Sequence, residues 1–350
     1  MSLPPHHRPD GRFRNPWAAA SGDDGLRRHV WRVAKEWLLG DHPPDPGPGA
    51  LEVRLPSPAH PWVTTPGAVR ITWIGHATAL VQLPGLNLLT DPVWSDRSSP
   101  VGFAGSRRFV PPPLTLDELP PIHAVLLSHD HYDHLDLPTV RALQARFGDS
   151  LSWYTPLGYR RWFGAQGITR VVELDWWGKA PLPGGRFEAV CVPARHSTRR
   201  RPGGTNRRLW CGWVVRPAAE ARPRVWYAGD TGYCEAFTEI GARLGYFDAS
   251  LVPIGAYEPR WFMGAAHVNP EEAVQAYRDA GGVGAFVGIH WGTWRLTFED
   301  PLEPPARTRA AWAAAGLPAA DLHIPRHGET LEVGSAQGRP GAPPDECAAP

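Results

Sequence analysis

The sequence predicts a layered α/β fold, and three observations carry that reading. Short apolar runs with strand character alternate along the chain with segments of helical periodicity. Polar residues able to bind metal fall where those apolar runs end: His129 and its neighbours, His196, Asp230 and His290. In layered α/β architectures strand ends converge on one edge, where sites form. Finally, 350 residues with a hydrophobic fraction of 42% suffice for one large α/β domain with extensions.

Composition narrows the function classes. A formal net charge of +1 gives no global attraction to nucleic acid or to an anionic membrane, so a nucleic-acid partner is not expected. Forty prolines and 37 glycines imply many turns and long irregular ends. The cysteines Cys191, Cys211, Cys234 and Cys347 show no paired spacing, which suggests free thiols in a reducing compartment. No apolar stretch marks a secretory signal within Met1 to Asp10, and nothing approaches a membrane span. The expectation is a cytoplasmic protein, with a peripheral position at the inner membrane surface as the variant to consider.

Taken in order, the first ten to fifteen residues are polar and proline-rich, which predicts poor order. Leu26, Val30, Val33, Trp37 and Leu38 then recur at helical spacing, with Arg27, Arg28, Arg32 and Lys35 on other faces. This predicts an amphipathic helix over about 26–39 that either lies on a membrane surface or packs on the main domain. Strands follow at Val69 to Ile74, Ala79 to Leu83 and Leu86 to Thr90, presenting His76 and Asp91 at their ends. The stretch Asp96 to Pro113 reads as a long loop of a length that is often functional. Pro120 to Leu127 is a strand, and a helix runs from Pro138 to Gly148.

Further strands are expected at Leu151 to Thr155, Val171 to Leu174 and Phe187 to Val192, with a short helix at Leu157 to Phe163. An arginine-rich loop, with Arg199, Arg200, Arg201, Arg207 and Arg208, spans His196 to Leu209 and reads either as solvated surface or as recognition of an anionic substrate or lipid head group. Next come strands at Leu209 to Val215 and Val225 to Ala228, a helix at Cys234 to Leu244, and a strand at Ala249 to Ile254. Asn269, Pro270 and Glu272 form a capping signature for a helix closed by Gly281-Gly282. Ala285 to Ile289 is a strand, Ala306 to Ala315 a helix, and Leu322 to Val333 a hairpin. Residues 1–67 therefore read as an extension, 68–333 as the domain, and 334–350 as a disordered tail.

The chemistry concentrates in Leu126-Leu-Ser-His-Asp-His-Tyr-Asp-His-Leu-Asp136, which holds three histidines and three aspartates within eight residues. Imidazole with carboxylate suits zinc or a similar divalent metal. In an extended loop His129 and His131 point the same way and can grip one ion. Asp133 and His134, at the turn into a helix, are free to face a second. Alone, Asp230 reads as a turn residue and His290 as a core histidine. The four-donor motif changes that balance, because two metals need more donors than it supplies.

These residues carry a resemblance. Ser128-His-Asp-His-Tyr-Asp-His-Leu-Asp136 looks like the signature of the metallo-β-lactamase superfamily, whose fold is an αββα sandwich of two mixed β-sheets flanked by helices. More narrowly, Asn15-Pro-Trp17, Gly75-His-Ala-Thr78, Leu89-Thr-Asp-Pro92 and Glu173-Leu-Asp-Trp-Trp177 resemble the N-acyl-phosphatidylethanolamine-hydrolysing phospholipase D group. So do Ala228-Gly-Asp-Thr-Gly-Tyr-Cys234, Tyr257-Glu-Pro-Arg-Trp-Phe-Met263, His267-Val-Asn-Pro-Glu-Glu-Ala273, Ile289-His-Trp-Gly-Thr293 and His327-Gly-Glu329.

The resemblance implies two zinc ions, with iron or manganese suited to the same donors. His129, His131 and His196 would hold one; Asp133, His134 and His290 the other; Asp230 would bridge. His267 would stand beside the metals, and His76 and Asp91 would orient ligand loops. A metal-bridging hydroxide would attack phosphorus, with Asp133, Asp230 and His267 in catalytic positions, to give phosphatidic acid and the amine-bearing alcohol. A homodimer is also implied. Candidates for an apolar substrate path are Trp153, Tyr154, Tyr159, Trp162, Phe163, Trp176, Trp177, Trp261, Phe262 and Met263, with Tyr257 and Arg199 as further contacts. Asp130 and the Arg199 to Arg208 loop depart from the family pattern and leave lipid selectivity open. The alternative reading is a lactonase, β-lactamase or thioesterase built on the same centre; a nuclease and a non-catalytic zinc protein are weaker rivals.

Overall fold

The computed structural model describes residues 3–17, 42–55, 68–219 and 222–334, together with Arg32, Lys35, Glu36, Leu39 and Gly40. One sheet contains β1 (Val69–Gly75), β2 (Thr78–Leu83), β3 (Leu86–Thr90), β4 (Ala124–Leu126), β5 (Ser152–Pro156), β6 (Val171–Leu174) and β14 (Thr330–Val333). The second contains β7 (Lys179–Pro181), β8 (Phe187–Val192), β9 (Gly212–Pro217), β10 (Val225–Tyr227), β11 (Ala249–Pro253), β12 (Ala285–Ile289) and β13 (Leu322–His323). Their orders are β14-β1-β2-β3-β4-β5-β6 and β13-β12-β11-β10-β9-β8-β7. Both sheets are mixed. β14 to β3 pair antiparallel and β3 to β6 parallel, and likewise β7 to β10 antiparallel and β10 to β13 parallel.

Apolar runs such as Leu86–Thr90 are buried along their whole length because each sheet is covered on both faces. Between the sheets lies a core of Ile71, Trp73, Leu88, Leu126, Trp213, Tyr227, Leu251 and Val287. On the outer face of the first sheet, Trp153, Leu143, Tyr159 and Phe163 pack with α1 (Leu137–Phe147) and α2 (Arg160–Gly164). The second sheet carries α3 (Ala236–Leu244), α5 (Pro270–Asp279) and α6 (Glu303–Ala314), through Phe237, Ile240, Val274, Tyr277 and Trp312. The result is the αββα sandwich. At the start of α5 the expected capping box is present: Asn269 Oδ1 accepts from Glu272 N at 2.8 Å, and Glu272 Oε2 accepts from Asn269 N at 3.1 Å.

Several local expectations need correcting. β4 is only three residues long, not the whole of Pro120 to Leu127. β7 and α4 (Arg260–Met263) are additional elements, too short to leave a periodic signal. α6 begins at Glu303, since Pro304 and Pro305 sit in its first turn where no amide donor is needed. Leu322 to Val333 is not a hairpin: β13 extends the second sheet and β14 the first. The connection crosses the sandwich at Gly328, whose φ of 84° favours glycine and whose amide donates to Trp73 O at 2.7 Å.

Residues 3–17 are also better placed than their composition suggests. His6 stacks on Trp176 with centroids 4.2 Å apart, and His6 and His7 bind Asp175 at 2.7 and 2.8 Å. Asn15 Nδ2 donates to His196 O at 2.8 Å. Most of the expected 26–39 helix lies outside the described residues, but Arg32, Lys35, Glu36 and Leu39 are helical. The Arg32 guanidinium sits 4.2 Å over the Trp261 ring, so at this position the segment touches the main domain. The expected tail lies outside the described residues beyond Gly334. Among the described residues no helix is long and apolar enough to cross a membrane.

His327 ties this frame together and yields a pH test. It is 1% exposed, packs on Trp73 at 4.4 Å, and its Nε2 lies 3.2 Å from Thr293 Oγ1, the group that accepts from His76 N. Burial, then the charge of Arg108, lowers its pKa to about 3. The unfolded chain would take up that proton near pH 6.5, so the contribution is intact above 6.5 and is lost as pH falls toward 3. Replacing His327 with Gln should therefore remove on the order of 2 kcal/mol of the stability difference between pH 7.5 and pH 5. Urea unfolding of both proteins at the two pH values measures it; identical pH slopes would rule out a neutral buried His327.

Candidate metal centre

The direction of pairing places six strand ends at one edge. In the first sheet β1, β3 and β4 run the same way, and in the second β8, β10 and β12 do. Their C-terminal ends deliver His76, Asp91, the His129 to His134 loop, His196, Asp230 and His290. Three of these bend sharply: His76, Asp91 and His290 have φ of 52°, 30° and 64°. Non-glycine residues reach that region only when the surroundings over-determine it, a condition common at functional sites. Gly229, with φ 63°, lets Asp230 turn in; a Cβ there would stand 2.6 Å from Cys211 O.

The side chains form two groups of donors. His129, His131 and His196 make one, with His129 Nε2 2.9 Å and His196 Nε2 3.2 Å from His131 Nδ1. His76, Asp133, His134 and His290 make the other, with His134 Nε2 3.3 Å from His290 Nε2 and 3.3 Å from Asp133 Oδ2. Asp230 stands between them. Its Oδ1 is 3.0 Å from His290 Nε2, while its Oδ2 is 3.1 Å from His134 Nε2, 3.8 Å from His129 Nε2 and 3.9 Å from His196 Nε2. His267 Nε2 lies 4.0 Å from the same Oδ2.

A layer of partners aims these donors. Asp91, fully buried, accepts from Ser128 N at 2.7 Å and Tyr227 OH at 2.6 Å, and lies 2.6 Å from His134 Nδ1. With Nδ1 engaged there, His134 Nε2 faces the cluster. His196 Nδ1 meets Ala266 O at 2.9 Å, and His76 Nε2 meets Asp133 Oδ2 at 2.9 Å. His76 was expected only to orient a loop; it lies close enough to be counted among the second group's donors.

Electrostatics follow from burial and crowding. Burial, then the neighbouring imidazoles, holds His129 well below the usual histidine range, and burial lowers His131. Burial also holds His196 well down, against the pull of Asp230. It would raise Asp230 and Asp133, but His134 with His290 and His76 outweighs it, and both carboxyls sit well below the usual carboxylate range. His134 is opposed by burial yet pushed up by Asp230 and Asp133. Burial brings His267 to about 4, despite Asp230.

This arrangement fits divalent cations. Nitrogens bonded to one tetrahedral zinc at about 2.0–2.1 Å stand roughly 3.3 Å apart, close to the separations between His131 and His196 and between His134 and His290. Two imidazole nitrogens facing each other at that distance can share a proton or a cation, and the convergence of several such nitrogens with Asp230 fits the cation. Among the described residues His290 Nδ1 is buried without a hydrogen bond, and Asp230 Oδ1, although 3.0 Å from His290 Nε2, has none of regular geometry; a buried charged oxygen so placed suits a cation.

The other expected residues divide. Met263 is half-buried on α4, and its carbonyl accepts from His267 N at 2.8 Å, next to the cluster. Trp261 is 39% exposed. Tyr257 is fully buried and bonds Glu303 at 2.6 Å, so it is a poor substrate contact. Trp177 is partly buried under Arg243, 4.2 Å over its ring. Trp153, Tyr154, Tyr159 and Phe163 are core residues rather than a lipid path. Arg199 is exposed. Its neighbours were read from sequence only as surface or anion-binding groups, and the structure gives two of them another role: Arg200 donates to the carbonyls of Asp130 and Leu135 at 3.1 and 2.6 Å, and Arg208 pairs with Asp130 at 2.7 Å. Both clamp the ligand loop, and the buried Asp130 between two histidines was the available clue.

Residues 86–291 match the family model described as a β-lactamase superfamily domain. The chain is 44% identical over 242 residues to N-acyl-phosphatidylethanolamine-hydrolyzing phospholipase D 1 of Caenorhabditis elegans, covering 67% of each chain. It is 45% identical to an uncharacterized protein of Mycobacterium tuberculosis, over 69% of this chain and 63% of that one. The mitochondrial N-acyl-phosphatidylethanolamine-hydrolyzing phospholipase D of Saccharomyces cerevisiae is 32% identical, over 67% of this chain and 49% of its own length. Among solved structures, an isothiocyanate hydrolase from Delia radicum gut bacteria shares the fold with a TM-score of 0.58 at 21% identity, over 75% of this chain and 98% of that one.

Asp91→Asn should weaken metal binding by roughly 10- to 100-fold while far-ultraviolet circular dichroism stays unchanged, the cost expected when the partner that aims a histidine ligand loses its charge. Competition with a chromogenic chelator reads the affinity. An Asp91→Asn protein that folds and holds metal as tightly as its parent would remove Asp91 from that role.

Proposed function

The chain belongs to the β-lactamase superfamily domain family, and on that premise we propose that it is a metal-dependent phosphodiesterase of the phospholipase D type, acting on N-acyl-phosphatidylethanolamine or a related glycerophospholipid. The position of Asp230 is the observation that supports a two-ion centre: its two oxygens reach histidines of both donor groups within 3.0–3.9 Å. The worm and yeast relatives, both named for that lipid, support the substrate class.

On this reading His129, His131 and His196 hold one ion, Asp133, His134 and His290 the other, and Asp230 spans both. The ions would be zinc, with iron or manganese suited to the same donors. Bound there, they would lower the pKa of water to near 7 and neutralise phosphoryl oxygens as charge builds. The chain's residues supply the rest. Water's oxygen joins phosphorus, the bond from phosphorus to the head-group oxygen breaks, and a proton goes to the departing alcohol, leaving phosphatidic acid. On the same reading His267, whose Nε2 lies 4.0 Å from Asp230 Oδ2, would hydrogen-bond the phosphate or the leaving oxygen. His131 and Asp133, partly exposed where most of the cluster is buried, mark the open side for substrate.

Four measurements test this. Purified protein should contain about two divalent ions per chain and hydrolyse N-acyl-phosphatidylethanolamine in preference to lactones, β-lactams and thioesters; preference for a carbonyl substrate would sink the phosphodiesterase reading. Asp230→Asn should lose metal and lower turnover by more than about 100-fold, the upper end of what residues behind the ligands cost. In water labelled with oxygen-18 the label should enter the phosphate of phosphatidic acid and not the released alcohol.

A further inference from the structure

A cavity of about 440 Å³ opens beside the ligand loop and contains none of the metal donors. Its walls carry five arginines, Arg161, Arg200, Arg201, Arg207 and Arg208, against the single carboxylate of Asp130. The existing contacts leave most of that charge uncompensated. Arg208 pairs with Asp130 at 2.7 Å. Arg200 gives Nη1 to two backbone carbonyls and lies 4.2 Å over the Tyr132 ring, so it is fixed in place but meets no anion. Among the described residues Arg207 reaches only Gly203 O, at 3.3 Å. Among the described residues, Arg161 and Arg201 have no carboxylate or carbonyl partner, and both are exposed.

Five like charges around one concavity repel one another, and a solvated surface would spread them. Folding holds them together from two directions, α2 supplying Arg161 and the loop before β9 the other four. Guanidinium groups present paired donors that match phosphate oxygens, and a dianion suits such a cluster better than a carboxylate does. The volume lies within the range of small-ligand sites. We propose that this cavity binds a phosphate monoester, either as the ester of a small soluble alcohol or as the head group of an anionic lipid. The proposal is independent of the reaction assigned to the metal centre, because it uses none of its residues.

The test uses the full-length, metal-loaded protein, titrated with glycerol 3-phosphate by calorimetry and sedimented with phosphatidylcholine vesicles with or without phosphatidic acid. The probe variant is Arg161→Gln with Arg201→Gln, two exposed side chains whose loss should leave the circular dichroism spectrum and metal content unchanged. Binding should weaken by on the order of ten-fold or more in this variant, as expected for two lost charge-assisted hydrogen bonds. It should persist in Asp230→Asn. Binding of glycerol 3-phosphate without vesicle binding assigns the site to a soluble ester. Phosphatidic acid-dependent sedimentation that the double variant loses assigns it to lipid. The proposal is overturned if the parent binds neither probe, if the double variant binds like the parent, or if Asp230→Asn alone abolishes binding.

Discussion

The structure depends on keeping a carboxylate ionised where water hardly reaches it. Asp230 is 3% exposed, and an isolated charge at such a position is strongly disfavoured. What holds it is the surrounding ring of imidazoles, which lower the carboxyl against the effect of burial. The converse is also visible, because Asp230 and Asp133 push His134 up although burial opposes it. Neither set of groups is stable without the other, and both sets lie at the ends of strands from different sheets. The cluster therefore requires the two sheets to be in register with each other, and it ties the sandwich together at that edge.

Keeping those strand ends in place takes devices outside the cluster. Left-handed backbone at His76, Asp91 and His290 costs energy that the surrounding hydrogen bonds must offset. His76 N is held by Thr293, His290 N donates to His76 O at 2.8 Å, and Asp91 N donates to Leu126 O at 3.1 Å. The loop between β8 and β9 adds a second clamp through Arg200 and Arg208, both fixed on the backbone or side chain of Asp130. The N-terminal segment supplies a third, from Asn15 to the carbonyl of His196. Rigid support of this kind is what the proposed metal centre would need, since misplacing a ligand by about an ångström degrades both affinity and catalysis.

Charge distribution separates the two binding features. The donor clusters balance histidine against aspartate, whereas the neighbouring arginine cavity carries a surplus of positive charge that vanishes in the formal net charge of +1. Global charge is a sum, and it is blind to such local asymmetry. That is why the composition gave no sign of such a patch while the folded surface provides one.

Much of the arrangement was legible in the chain. Apolar runs ending in His or Asp marked six strand ends, the capping residues marked α5, and the spacing of His129, His131, Asp133 and His134 marked a metal loop, because all of these are local signals. The sequence by itself determined which residues could be donors. The family resemblance implied two groups with Asp230 between them; the tertiary structure gave the distances within them and added His76 to the second. It alone separated β13 from β14 into different sheets, buried Tyr257 and Trp153, and folded residues 3–17 onto Asp175 and Trp176. The reason is that a contact between residues a hundred or more positions apart leaves no periodicity in the chain; it exists only once packing has chosen the partners.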